Sequence, residues 1–343
     1  MKIIGVGNTG SKLALMFDES AFLFSTAEQD TNNYLRHSDN LYVVSKQGAS
    51  KRFSTGASIW FNNEDKVREA LYEFQDEKVI IFSSLGGGSG SSSLAPISRI
   101  LLEQDCQVLI VGVLPFKKEI NPPLANAVQA INSLLPLIND VSVILFDNEK
   151  LIKLFENNWK HINGHIIRVL DYIVNLLRKY NTDNYSPVTM DQSELDSIIF
   201  GGGFLDFSDT FLEEKMPKFE YGTLDRDTKN CMICMFVDDK IKDNEEVDKF
   251  QNILAGLIAK FGRRLPNARL IPGILRGIVK ETNSVEGIKD RCYFTIASGL
   301  SIEKYLRKIE KLRDAAIEKA EAFSQKTKAG KIIGSRDTKT LDI

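Results

Sequence analysis

Apolar residues fall into two patterns along the chain. Short continuous runs, many of them β-branched, stand at residues 2–6, 22–25, 41–44, 78–82, 107–113 and 141–146. They do not alternate with polar residues, so each reads as a strand covered on both faces. Between several of them, as at 64–74 and 124–135, apolar residues return at helical spacing. Strand and helix in alternation predict an α/β fold with a doubly wound parallel sheet over residues 1–150. A longer helical pattern follows at 159–177, with Ile162, Ile166, Val169, Leu170 and Ile173 on one face. Further on, strand runs at 203–207, 231–237, 269–279 and 292–297 surround one helical run at 244–261. This mixture predicts a smaller α+β carboxy-terminal domain. A last helix is expected at 301–323, with Ser301 as its cap and Ile302, Tyr305, Leu306, Ile309 and Leu312 as its apolar stripe. A basic tail, 326–343, ends the sequence. The expected division is 1–158, a central helix and connection at 159–190, a second domain at 191–300, the helix 301–325 and the tail.

Ligands of doubly wound sheets sit at the carboxyl ends of the strands, so the loops there carry the candidate chemistry. After the run 78–82 comes Leu85-Gly86-Gly87-Gly88-Ser89-Gly90-Ser91-Ser92-Ser93, with a helix expected at 94–102. Glycines let the main chain approach a ligand closely. The unpaired N–H groups and dipole of the helix start favour an anion, and the serine hydroxyls can add hydrogen bonds. No lysine follows, so this is not the GxxxxGK[ST] phosphate loop. After the first strand, Gly5-Val6-Gly7-Asn8-Thr9-Gly10 matches GxGxxG, with Glu28 about twenty residues on. Alone, that loop would suggest a dinucleotide-binding oxidoreductase. Such dinucleotide-binding folds do not carry a second phosphate loop like 86–93.

Composition adds limits. The chain has 343 residues, 43% hydrophobic and 26% charged, with formal net charge −2. That balance gives no overall pull toward nucleic acid or an acidic membrane, and no apolar run approaches the ~18 residues of a membrane span. The sequence opens directly on a strand, without the pattern of a signal peptide, and a cytoplasmic protein is expected. Cys231 and Cys234 form a CxxC inside an apolar run, without a second CxxC and with only 3 histidines in the chain. Buried, reduced thiols are expected there, as for Cys106 and Cys292, rather than a zinc site. His161 and His165 share a helix face but lack a third ligand.

The second glycine loop, GGGSGSS, resembles the GGGTGSG signature of the tubulin/FtsZ superfamily. Several other segments resemble that family in the same order. The resemblance implies a GTP-binding, GTP-hydrolysing protein that polymerises. Gly7, Asn8, Thr9 and Gly10, with Gly86, Gly87, Gly88, Ser89, Gly90 and Ser91, would hold the phosphates. Glu28 and Asp30, in the loop after the second strand, would position Mg²⁺ through water. The segment 48–57, with Lys51 and Arg52, corresponds to the loop that senses the terminal phosphate. Glu119 would hold the ribose, although aligning on Asn126-Ala127-Val128 puts Pro123 there instead. Asp147-Asn148-Glu149-Lys150-Leu151 resembles the tubulin IDNEAL segment, which assigns Asn148 to the guanine edge. Asn148 could instead cap the following helix. Trp159 and Asn163, one helical turn apart, match an aromatic that stacks on guanine and a polar group that bonds its edge; Trp159 could instead anchor the helix to the sheet. Asp191 and Glu194 resemble the carboxylates that act on the nucleotide of the adjacent subunit, with Asp196 a weaker candidate. Within the family the plasmid and phage TubZ group is the nearest likeness, with phage-spindle tubulins next. That likeness implies a head-to-tail filament, a DNA-bound adaptor held through the tail, and no direct contact with nucleic acid or membrane.

Overall fold

A computed structural model of the protein describes residues 1–27, 40–116, 122–171, 173–174, 192–208, 228–238, 252, 255–256, 258–277, 292–315 and 317–318. Its strands are β1 (Lys2–Val6), β2 (Phe22–Ser25), β3 (Leu41–Val43), β4 (Lys78–Ser84), β5 (Gln107–Leu114), β6 (Val141–Asp147), β7 (Gly203–Ser208), β8 (Asn230–Asp238), β9 (Arg269–Gly277) and β10 (Cys292–Leu300). Its helices are α1 (Gly7–Phe17), α2 (Phe53–Asn62), α3 (Glu64–Leu71), α4 (Gly88–Leu102), α5 (Pro123–Leu134), α6 (Asn148–Leu154), α7 (Trp159–Asp171) and α8 (Gln192–Ile199). Residues 303–315 are also helical.

The strands form one sheet in the order β3-β2-β1-β4-β5-β6-β7-β10-β8-β9. The strands from β3 to β6 are parallel, as expected for a doubly wound domain. The chain starts in the middle, at β1, and winds outward in both directions, so the switch point lies between β1 and β4. The carboxy-terminal strands join the same sheet. β7 pairs in parallel with β6, while β10 lies antiparallel to both β7 and β8.

The central strands are buried on both faces, which explains their unbroken apolar character. Val79 and Ile81 of β4 join one core cluster with Trp60, Leu71, Ile97, Leu124 and Ile309, from α2 to α5 and the helix 303–315. Ile80 and Phe82 join the other with Leu13, Leu151, Ile162, Ile166 and Ile198, from α1, α6, α7 and α8. Fully burying each such side chain is worth about 1.5–3 kcal/mol, so β4 anchors both layers.

The structure differs from the sequence reading in several places. Helix α4 begins at Gly88, inside the glycine-serine run, rather than at residue 94. Poor helix formers are tolerated there because small side chains pack closely and the hydroxyls bond back along the helix. Ser92 Oγ donates to the Gly88 carbonyl at 2.6 Å, and Ser93 Oγ to the Gly90 carbonyl at 2.8 Å. Those two hydroxyls serve the helix rather than a ligand. The segment 48–57 is a turn followed by the start of α2, not a loop throughout. Most of the helix expected at 244–261 lies outside the described residues; 258–264 are helical. Strand β8 runs through both CxxC positions. Burial pushes the Cys231 thiol up to about 12, which removes it as a thiolate ligand or nucleophile.

Candidate functional site

The two glycine loops follow β1 and β4, the strands that flank the switch point, and the registers bring their carboxyl ends to one edge of the sheet. Gly7 opens α1 with φ +67°, a left-handed backbone that L side chains seldom adopt. A Cβ on Gly7 would lie 3.4 Å from the Gly90 nitrogen and 3.7 Å from the Ser89 Cβ. The starts of α1 and α4 therefore touch. Neither has a side chain at its N-cap bonding its first turn, so two positive helix ends converge.

Gly87 is the informative glycine. Among the described residues, nothing lies within 4 Å of where its Cβ would be. It faces open space at the start of α4. Gly90 shows the opposite: a Cβ there would meet Ser83 Oγ at 2.6 Å and the Ser84 carbonyl at 2.9 Å. One glycine leaves room for a ligand and the other lets α4 approach β4.

The cradle is braced by residues that the sequence reading did not single out. The hydroxyls of Thr26 and Ser89 lie 2.6 Å apart, which ties the loop after β2 to the glycine loop. Buried Trp60 donates from Nε1 to the Ser89 carbonyl at 3.1 Å. Asn126, on α5, accepts from the Phe53 amide at 3.0 Å and donates to the Lys51 and Gly86 carbonyls, each at 2.9 Å. The available signal was a polar side chain amid the apolar residues of α5. Lys51 and Arg52 are exposed on this turn.

The groups expected at the base lie farther along the same edge. Asp147 caps α6, accepting from the Glu149 amide at 2.9 Å. Capping therefore falls to Asp147 and leaves Asn148, the first residue of α6, outside that role. Tyr305 Oη donates to the other Asp147 oxygen at 3.2 Å and links the helix 303–315 to this corner. Trp159 begins α7 and is 51% exposed, so it does not anchor the helix to the sheet. Asn163 follows one turn later, half-buried. The His161 and His165 rings pack near Phe155, as ordinary helix residues do.

Glu194 and Asp196 lie at the opposite edge. Asp196 is ion-paired with Lys78, the first residue of β4. Glu194 pairs with Arg269, the first residue of β9, at 2.9 Å. The glycine loop follows the last residue of β4, and a strand of 7 residues spans about 20 Å. The glycine loops and Glu194 therefore occupy opposite ends of the molecule. Glu28, Asp30, Glu119 and Asp191 lie outside the described residues. Among the described residues, no group of three or more His, Cys, Asp or Glu side chains could hold a metal ion. None of the described helices is long and apolar enough to cross a membrane.

Residues 12–156 match the model of the tubulin/FtsZ family GTPase domain. Over these residues the chain is similar to a tubulin/FtsZ-family GTPase domain. Tubulin-like protein TubZ of Bacillus cereus is 28% identical over 227 residues, which cover 61% of this chain and 50% of that protein. Tubulin-like protein CetZ of Pyrococcus furiosus is 26% identical over 216 residues, 57% of each chain. The chain thus spans about half the length of the curated relatives it matches. In fold, it is similar to a GTPγS-form protofilament of TubZ from Bacillus thuringiensis serovar israelensis, with TM-score 0.73 and 16% identity over 96% of this chain and 94% of the other. A two-stranded filament model of TubZ gives the same TM-score, at 17% identity over 100% of this chain and 93% of the other. The matched residues include the start of α4 and its glycine loop, for which the oxidoreductase reading of the first glycine loop does not account.

Proposed function

We propose that the protein binds GTP across its two glycine loops and hydrolyses it at the junctions of a head-to-tail filament. One observation carries this reading: the convergent helix starts and Glu194 lie at opposite edges of the sheet. A subunit cannot bring its own Glu194 to its own phosphates, whereas a copy stacked along the same axis can. Phosphoryl transfer needs positioning and charge stabilisation more than covalent help from the protein. In this account the main-chain N–H groups of both loops hold the phosphates. Asn148 and Asn163 bond the guanine edge, Trp159 stacks on the ring, and Glu119 holds the ribose. Asp191 and Glu194 of the adjoining subunit orient the attacking water. Glu28 and Asp30 are the carboxylates proposed to hold Mg²⁺, which would neutralise phosphate charge.

The open space at Gly87 and the uncapped starts of α1 and α4 fit a polyphosphate. A pelleting assay tests assembly directly. Polymer should sediment with GTP, and more persistently with GTPγS; failure to sediment with either contradicts the filament.

The base contacts have their own test. Trp159→Ala is expected to weaken GTP binding by about 1–3 kcal/mol, the scale of base–aromatic stacking. Asn148→Ala should cost about 1–3 kcal/mol by leaving polar groups of the base unpaired. Neither change should shift melting much, since Trp159 is exposed and Asp147 does the capping. Unchanged dissociation constants in both variants would remove the assignment.

The filament is proposed to serve the partition of plasmid or phage DNA, with the basic tail 326–343 holding a DNA-bound adaptor. Deleting 326–343 should leave GTP turnover and sedimentation nearly intact and weaken adaptor binding. Loss of polymer on deletion would make the tail a filament contact instead.

A further inference from the structure

We infer that Asn126 is the positioning residue that makes the turn 48–52 report on the phosphate furthest from the base. This rests on the GTP-binding reading above.

The Asn126 side chain is 3% exposed and meets three separate pieces of backbone. Its oxygen takes the Phe53 amide, the first N–H of α2, while its nitrogen serves the Lys51 and Gly86 carbonyls. Only a planar amide offers an acceptor and two donors in this arrangement. An aspartate at this site would keep the Phe53 contact and face both carbonyls with negative charge. A leucine would leave two carbonyls and an amide without their partner. The clamp joins a sensor candidate, the turn, to the cradle itself at Gly86.

The turn it holds is under strain. Ser50 and Lys51 have φ of +50° and +56°, a left-handed pair that non-glycine residues adopt at a cost. It also packs closely on the cradle, with room only for glycine at 88: a Cβ there would lie 2.8 Å from both the Ala49 Cβ and the Arg52 nitrogen. The turn follows β3, at one end of the sheet order, whereas Asn148 follows β6, on the far side of β4. A nucleotide with its base at Asn148 and its phosphates at α4 runs its last phosphate toward the turn. A ligand that carries the terminal phosphate therefore reaches this strained, Asn126-held turn, and one that lacks it does not.

The test compares GTPγS and GDP affinities at protein concentrations below assembly, in the full chain and in Asn126→Asp, Asn126→Leu and Asn126→Ser. The expected result is a loss of about tenfold for GTPγS with GDP affinity within about twofold. Serine, which leaves room for a bridging water, should be the mildest variant. Equal losses for both nucleotides would mark Asn126 as merely structural, and unchanged affinities would remove the coupling; either overturns the inference. Should every variant fail to fold, amide exchange in the wild type decides. The 48–56 peptide should exchange about tenfold more slowly with GTPγS than with GDP, and equal exchange overturns the inference. A wild type that binds neither nucleotide would instead overturn the GTP-binding reading.

Discussion

Gly87→Val should abolish most GTP binding without unfolding the protein. The backbone there has φ −83° and ψ 157°, an extended conformation that valine favours. Among the described residues nothing lies within 4 Å of the new Cβ, so none of them obstructs it. It projects instead into the space assigned to phosphate. Melting should stay within about 2 °C, while GTP affinity falls by about tenfold or more. Gly10→Ala provides the contrast, because its Cβ would lie 2.2 Å from the Phe82 carbonyl oxygen in the centre of the sheet. That change should lower melting strongly, by a route unrelated to the ligand. If Gly87→Val binds GTP normally, the cradle is misplaced.

The second large effect concerns the far edge. Glu194→Ala and Asp191→Ala should bind GTP with wild-type affinity, since neither lies in the nucleotide loops. Each should reduce turnover by roughly 100-fold or more, the scale of removing a group that acts mainly in the transition state. Filaments should still form and should persist, because the terminal phosphate stays in place. The Glu194–Arg269 pair is partly exposed, at 29% and 55% for the two side chains, so its loss costs only about 0–1 kcal/mol of stability. Arg269→Ala therefore serves as a control that removes the pair and keeps the carboxylate. If Glu194→Ala lost GTP binding in proportion to turnover, the carboxylate would act within its own subunit.

The parallel core was legible because burial on both faces leaves unbroken apolar runs, as in β4 and β5. The glycine loops were legible because only backbone demands explain so many adjacent glycines between a strand and a helix. The extent of α4 was not, since its serines read as loop until their hydroxyls are seen bonded to carbonyls within the helix. Nor was the bracing of the cradle. Trp60 and Asn126 lie far in sequence from Ser89 and Gly86, and no local pattern marks contacts made only by tertiary packing. Asp147 illustrates a smaller version of this limit. Its capping of α6 frees Asn148, and the two neighbours could not be told apart by spacing. The joining of β7 to β6 into one sheet also depends on pairing that strand patterns do not reveal.

The central claim is that one subunit holds an incomplete site, with its phosphates at one edge and, at the other, the carboxylates that orient water on a neighbour's phosphates. Phosphate release as a function of protein concentration tests it most directly. The account predicts that specific GTPase activity is near zero where the protein is demonstrably monomeric and rises steeply once filaments appear. Full specific activity in dilute, monomeric protein would contradict the shared site.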